Sequence, residues 1–272
     1  MCARKTALGV STVMSFNLIG HDWAVAMLGR VAQGQPSHAY LFLGQAHIGR
    51  MTLAMEFARA LNCLEAERPC AGACRSCQKA ARGAHPDLHL IAPEGDMIKI
   101  DQVRDLQRSL SLSPYEGRYR VALFDGFERA NAEASNALLK TLEEPAPQVV
   151  LLLVASSVEA LLPTIVSRCQ LIPLRPLPLA QVERALTERW RIEPARATLL
   201  ARLSAGRLGW AVTAASDETL LTKRTDQLTL LLEATGKGRS PRIELAGVLS
   251  RDEEGLGETL DLWLSWWRDL LL

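Results

Sequence analysis

The sequence lacks any excess of charge of one sign. Its 31 basic and 30 acidic residues leave a formal net charge of +1 over 272 residues. Proteins that hold DNA unaided gain most of their non-specific affinity from basic residues that neutralise phosphates. The charge balance therefore excludes a free-standing electrostatic DNA binder, and any contact with DNA must be local or shared with other subunits.

Long apolar runs are also missing. No stretch of the sequence reaches the roughly 18 apolar residues that a membrane-spanning helix needs. Residues 1–13 carry Arg4 and Lys5, but polar residues interrupt the apolar part, which makes a poor signal peptide. We therefore expect a cytoplasmic protein without a membrane partner, in which residues 1–15 form an extension. Met1 and Met14 both stay open as the natural start.

Cysteines are few but clustered. Four of the six, Cys63, Cys70, Cys74 and Cys77, follow the spacing C-x6-C-x3-C-x2-C. Four thiolates at such spacing suit tetrahedral Zn²⁺ in a closed structural site. The alternative is four reduced thiols without a metal. Because no aromatic residue accompanies the basic residues around the cluster, we interpret it as a structural zinc site rather than a DNA-binding finger.

Apolar periodicity predicts an α/β fold followed by helices. Five short apolar runs alternate with segments of helical spacing, at residues 40–43, 88–92, 121–124, 149–155 and 170–174. This alternation predicts a parallel sheet, and near-continuous apolar strands predict that both faces are covered. From Ala180 onward only helical patterns occur. We expect an α/β domain at residues 16–177, a small helical domain at 178–225 and further helices at 226–272.

The segment after the first strand has the outline of a phosphate-binding loop but lacks two chemical groups. Gly44 and Gly49 have the spacing of G-x-x-x-x-G-K-[ST], whose backbone N–H groups and helix start face an anion. Arg50 replaces the lysine, and Met51 replaces the hydroxyl residue that holds Mg²⁺. An incidental strand–turn–helix is the alternative interpretation.

The second half of a nucleotide site is incomplete as well. The third apolar run ends in Asp125, which is suited to bind a metal, but the next position, where a second acid is needed, is Gly126. Glu128 is expected to point elsewhere. With Arg50, Met51 and Gly126 all altered, we expect no ATP turnover, and the sequence leaves open whether nucleotide binds at all.

Three further stretches are distinctive. They read His-Ala-Tyr-Leu-Phe at residues 38–42, Asn-Ala-Leu-Leu-Lys-Thr-Leu-Glu-Glu-Pro at 136–145, and Ser167-Arg168-Cys169. These stretches resemble bacterial clamp-loader subunits of the AAA+ family. The cysteine insertion at residues 63–77 is similar to the zinc module of the gamma/tau and delta-prime members, although C-x3-C stands where C-x2-C is commoner. The altered phosphate loop favours the delta-prime kind. The resemblance is strong over residues 16–177, moderate to about residue 216 and weak beyond.

The resemblance implies roles for individual residues. Arg168 would be an arginine finger that reaches the nucleotide held by a neighbouring motor subunit. Arg207 of Ser204-Ala205-Gly206-Arg207 would correspond to the second sensor, which touches phosphate in active members. Residues 226–272 would begin a helical collar domain, possessed in full by the family. The implied partners are the gamma/tau and delta subunits, the sliding clamp and, through the assembled loader, primed DNA.

The implied function is that of a non-motor subunit within the DNA polymerase III holoenzyme. Two rivals stay open: an active gamma/tau-like ATPase, and a zinc-dependent nucleic-acid-binding module on an unrelated scaffold. Tight Mg·ATP binding that survives Arg50→Ala but not Asp125→Ala would favour the first. Salt-sensitive DNA binding that is lost with zinc would favour the second.

Overall fold

The computed structural model describes residue 16 and residues 18–65, 69–70, 72–251 and 253–271. The predicted extension at residues 1–15 lies outside the described residues. Contacts divide the chain into two compact units, with the boundary between Trp210 and Ala211. The three-part division expected at residues 177 and 225 stays a prediction.

Strands and helices alternate through most of the first unit. The strands are β1 (Ala39–Leu43), β2 (Leu88–Ile91), β3 (Arg120–Phe124), β4 (Val149–Ala155) and β5 (Gln170–Pro173). The helices are α1 (Asp22–Gln33), α2 (Arg50–Leu61), α3 (Arg75–Ala81), α4 (Ile100–Leu110), α5 (Ala132–Glu143), α6 (Pro163–Val166), α7 (Leu179–Glu188) and α8 (Pro194–Ser204). A short 3₁₀-helix, Phe127–Arg129, follows β3.

The five strands form one parallel sheet in the order β2-β3-β4-β1-β5. Successive side chains of a strand point to opposite faces, so Tyr40 and Phe42 join one buried cluster with α1 and α2, while Leu41 joins another with α4 and α5. Both faces are therefore covered, which explains why β4 is apolar throughout. The predicted fold class, a parallel α/β sheet followed by helices, is confirmed.

Helices α7 and α8 leave the sheet and return to almost the same point. The N–H of Leu177, before α7, donates to the carbonyl of Gly206, after α8, at 2.9 Å. Gly206 has φ +81°, and a Cβ there would lie 2.5 Å from the carbonyl oxygen of Leu177. Only glycine fits this close approach. The N–H of Gly209 next donates to the carbonyl of His47 at 2.8 Å.

Helices alone occupy the described part of the second unit. After α9 (Leu208–Ser216), which spans the boundary, come α10 (Glu218–Gly236), α11 (Arg239–Leu249) and α12 (Glu253–Leu271). Helices α10 and α12 pack together. The indole Nε1 of Trp263 donates to the carbonyl of Gln227 at 2.8 Å, and the amide of Gln227 donates to Thr259 Oγ1 at 2.7 Å. Among the described helices, none is both long and apolar enough to span a membrane.

Candidate functional site

The four clustered cysteines meet at the end of α2. Their sulfur atoms all lie within 4.8 Å of one another. The Cys63–Cys74 pair is 3.9 Å apart and the Cys70–Cys77 pair is 3.6 Å apart. Zinc–sulfur bonds of about 2.3 Å in a tetrahedron place sulfurs about 3.8 Å apart. The cluster therefore has the size and shape of a closed tetrathiolate zinc site.

Backbone N–H groups and burial set the charge of these thiols. N–H groups of Cys70, Cys74 and Cys77 each donate to the sulfur of a preceding cysteine of the cluster, all at 3.4 Å. Burial disfavours the Cys70 thiolate, but hydrogen bonds from Cys74 and the other thiols outweigh it and lower the pKa of Cys70 to about 6. Burial raises the pKa values of Cys63 and Cys77. A divalent cation would partly compensate the charge of four thiolates, three of them from buried cysteines, which fits zinc.

A buried carboxylate, Asp87, supports the chain behind this module, and sequence reasoning missed it. Asp87 is fully buried and accepts three backbone hydrogen bonds, from Tyr115, Glu116 and Gly117, at 2.6 to 2.8 Å. Burial alone would raise its pKa, but these bonds outweigh burial and lower the pKa of Asp87. Glu116 in turn accepts from Lys79 on α3 at 2.6 Å. The network links the cysteine module to the edge of the sheet.

The phosphate-binding loop lies between β1 and α2, as predicted, and its glycines are required by its shape. Gly44 has φ +141°, and a Cβ there would lie 2.4 Å from Ile48 Cδ1 and 2.7 Å from the carbonyl oxygen of Leu174. Gly49 has φ +101° at the start of α2. The buried His21 donates from Nε2 to the carbonyl of Ile48 at 3.0 Å. The loop therefore keeps its backbone form through contacts with the chain itself.

The Arg50 side chain folds back over this loop. Its Nη1 donates to the carbonyl of Gly44 at 2.7 Å. Burial lowers the pKa of Arg50, while the nearby carboxylates of Glu128 and Asp125 act to raise it. The guanidinium is thus held by a carbonyl of the chain's own loop and lies near two of its carboxylates, where a lysine would point to phosphate.

The end of β3 differs from the sequence expectation in one residue. Gly126 has φ +66°, a left-handed conformation that favours glycine over an acid. Glu128 was expected to point elsewhere, and this is wrong: its Oε1 accepts from the N–H of Ser156 at 3.2 Å, and its charge acts on Arg50. Position 128 lies within the 3₁₀ turn Phe127–Arg129, so the direction of its side chain does not follow the alternation of β3.

Arg168 belongs to a different corner of the first unit. It follows α6, and its side chain is 35% exposed. Nη2 donates to Glu143 Oε1 at 2.9 Å and Nη1 donates to the carbonyl of Thr164 at 2.8 Å. Cys169 beside it is half-buried, and burial raises the pKa of its thiol to about 12, as expected of a packed residue rather than a ligand.

Arg207 lies after α8, where the chain returns to the sheet. Its Nε donates to the carbonyl of Ser204 at 3.1 Å. This bond is local, and its assignment as a second sensor stays a prediction. Gly44, Gly49, Arg50 and Asp125 are brought to one end of the sheet, whereas Arg168 makes its contacts with α5 and α6.

Comparison with known proteins agrees with this geometry. Residues 22–178 match the model of a family described as DNA polymerase III, delta subunit. The delta' subunit of DNA polymerase III from Bacillus subtilis is 37% identical over 168 residues, covering 62% of this chain and 51% of the relative. The delta' subunit from Pseudomonas aeruginosa is 41% identical over 156 residues, covering 55% and 47%. The resemblance identified from the sequence is confirmed.

Other relatives are more distant. The tau subunit of Escherichia coli DNA polymerase III is 31% identical over 250 residues, covering 84% of this chain and 39% of the relative. The solved RuvB Holliday junction branch migration motor of Thermotoga maritima has a TM-score of 0.50 at 17% identity, covering 78% of this chain and 64% of that one. RuvB shares the fold. The chain spans about half the length of the delta' relatives it matches.

Proposed function

The chain belongs to the family described as DNA polymerase III, delta subunit, and we propose that it is a clamp-loader subunit of the delta-prime kind. Its partners would be the gamma/tau and delta subunits, together with the sliding clamp and primed DNA. Within that assembly it would hydrolyse no ATP itself. It would assist a neighbouring motor subunit by supplying Arg168 as an arginine finger.

The contrast between two arginines carries this proposal. Arg50 turns inward and donates to Gly44 within the chain's own phosphate loop. Arg168 stands partly exposed in the Ser-Arg-Cys tripeptide. A chain whose own loop is bonded by a guanidinium in place of the usual lysine, and which presents another guanidinium at its surface, is suited to act on a nucleotide bound elsewhere.

Arg168 would act through charge and geometry. A guanidinium is planar, stays charged at neutral pH and presents donors in a fixed fork that matches phosphate oxygens. When such a group is supplied in trans, it stabilises the charge that spreads over the transferred phosphoryl group in the transition state. The neighbouring subunit would contribute the phosphate loop, magnesium and the attacking water.

Zinc would hold the cysteine module together. Cys63, Cys70, Cys74 and Cys77 would be its four ligands, which leaves no open position for a substrate. When bound, the ion supplies structural cross-linking. The module then fixes α3, whose Lys79 reaches Glu116 and the support behind the sheet edge. Its proposed role is therefore to stiffen the α/β domain.

Reconstitution of a loader with motor subunits tests the finger. We expect Arg168→Ala to leave assembly intact and to lower DNA- and clamp-stimulated ATP hydrolysis by about tenfold or more. Arg30→Ala, at an exposed arginine of α1 that donates to the carbonyl of Ala26 one helix turn back, is the matched control and should keep the full rate. An intact assembly with an unchanged rate in Arg168→Ala would overturn the finger role.

The gamma/tau-like motor is the competing function. It requires the isolated chain to bind Mg·ATP through its own loop, with Asp125 as a metal ligand. Calorimetric titration of the chain, Arg50→Ala and Asp125→Ala distinguishes the two. Binding that survives the first substitution and is lost with the second would support a motor, whereas no binding by the parent chain supports the delta-prime assignment.

A further inference from the structure

We propose that Glu143 is a positioning residue for Arg168, an inference that rests on the finger role proposed above. The exposed carboxylate of Glu143 holds the guanidinium at Nη2. The remaining N–H donors are then presented in one orientation to a phosphate group carried by the neighbouring subunit.

The guanidinium is fixed at two separate nitrogen atoms. Nη2 donates to Glu143 Oε1 at 2.9 Å, and Nη1 donates to the carbonyl of Thr164 at 2.8 Å. Two bonds on different nitrogens define the plane of a rigid, flat group. Nη1 also donates to Ser167 Oγ at 3.4 Å. Since a guanidinium has five N–H donors, two are left for a ligand after these three bonds. The side chain is 35% exposed, so an approaching phosphate can reach it.

Glu143 itself stands on a well-anchored support. It is the last residue of α5, one position after the buried Leu142. The amide Nε2 of Gln107, on α4, donates to the carbonyl of Ala137 at 2.8 Å and to Thr141 Oγ1 at 2.9 Å. A helix C-terminus also carries partial negative charge, which favours a cation there. The carboxylate of Glu143 and the C-terminus of α5 therefore both attract the Arg168 guanidinium to this position.

A held guanidinium costs less entropy to align with the transferred phosphoryl group than a freely rotating one. Orientation of this kind acts on the chemical step, since it matters most in the transition state. Exposed ion pairs are weak, so loss of this one should slow the reaction by about two- to fivefold. Glu143 would not touch the nucleotide and is not a catalytic residue.

The test is a double-mutant cycle in the reconstituted loader, with kcat and KM for ATP measured separately. Variants are Glu143→Ala, Glu143→Gln, Arg168→Ala and the double variant Glu143→Ala/Arg168→Ala. Glu144→Ala, at the exposed acid next along the chain, is the matched control. We expect Glu143→Ala to lower kcat by about two- to fivefold with KM unchanged. Glu143→Gln should recover most of kcat because its amide oxygen still accepts from Nη2.

The cycle separates positioning from a structural role. If Glu143 acts only through Arg168, the double variant has the same rate as Arg168→Ala alone. A full rate in Glu143→Ala together with a slow Arg168→Ala overturns the positioning role and leaves the finger in place. A further loss of rate when Glu143→Ala is added to Arg168→Ala overturns it too. An unchanged rate in Arg168→Ala removes the finger and this inference together.

Discussion

Helix α2 separates two motifs that differ in what they have kept. At its end, the cysteine module retains four sulfurs within 4.8 Å of one another. At its start, the phosphate loop retains both glycines and its backbone form, but its guanidinium bonds to the carbonyl of Gly44. A phosphate loop can therefore keep its backbone form when two side chains of its motif are replaced, whereas a tetrathiolate metal site depends on every one of its four ligands.

The largest expected effect is on the cysteine module, where removal of one sulfur should cost both bound metal and thermal stability. We expect Cys77→Ser to lose bound zinc and to lower Tm by about 10 °C, since the metal contributes directly to folding free energy. Metal content by mass spectrometry and thermal unfolding by circular dichroism are the measurements. Cys169→Ser, outside the cluster, should retain the metal. Full metal content and an unchanged Tm in Cys77→Ser would contradict the site.

The next largest effect is expected at Asp87, the buried carboxylate behind the cysteine module, and concerns the free energy of unfolding. Asp87→Asn should lower the free energy of unfolding by about 2–3 kcal/mol, because a carboxylate bonded to three N–H groups is lost. The pKa of Asp87 is lowered in the folded chain, so its stabilisation is complete above the unfolded value and is lost as pH falls through the folded value.

The difference between Asp87→Asn and the parent should accordingly shrink below about pH 4. Urea unfolding at neutral and acidic pH measures it, with Asp226→Asn as an exposed control. A difference that stays constant down to the acid limit would show that the carboxylate's charge is not what stabilises the loop.

Placing the lysine and hydroxyl residue of the phosphate-loop motif at positions 50 and 51 should give the loop a measurable affinity for nucleotide. We expect Arg50→Lys/Met51→Thr to bind Mg·ATP at least about tenfold more tightly than the parent chain, which corresponds to about 1.4 kcal/mol. A lysine cannot form the fork of Arg50, and threonine returns a magnesium ligand. Calorimetry measures the affinity, and Arg50→Lys alone is the control. Equal affinity in all three proteins would place the defect at the end of β3 instead.

The smallest effect is expected at Asp125. Its charge acts on Arg50 of the chain's own phosphate loop. Because the hydrolysed nucleotide is proposed to be held by a neighbouring subunit, Asp125→Asn should leave ATP hydrolysis by the reconstituted loader without measurable change. A clear loss of hydrolysis in Asp125→Asn would contradict the non-motor assignment and favour the gamma/tau-like ATPase. The measurement is the steady-state rate of ATP hydrolysis by loaders that contain Asp125→Asn or Arg168→Ala, compared side by side.

Much of this molecule follows from local pattern. The five strands begin and end within one residue of the apolar runs. The three central strands are buried, and buried parallel strands need apolar side chains on both faces. The glycine spacing located the loop, and the cysteine spacing located the module. Each of these features depends on a few residues that are close together in the sequence, so a single sequence is enough to predict them.

Features that depend on distant contacts could not be predicted in this way. Asp87 receives N–H groups from residues about thirty positions away, and no motif marks it. Glu128 was misassigned because its direction depends on a 3₁₀ turn rather than on strand alternation. The ion pair of Arg168 with Glu143 spans 25 positions. The family resemblance indicated the first of these two residues but not the second.

The paired ends of the α7–α8 excursion have an evolutionary consequence. The backbone of Leu177 is hydrogen-bonded to that of Gly206. The chain therefore leaves the α/β domain and returns to it at adjacent points. The distance between these two points does not depend on how many residues lie between them. We therefore expect changes in the length of this helical pair to leave the spacing of the strands unchanged, and the same two positions to be suitable junctions for grafting another pair.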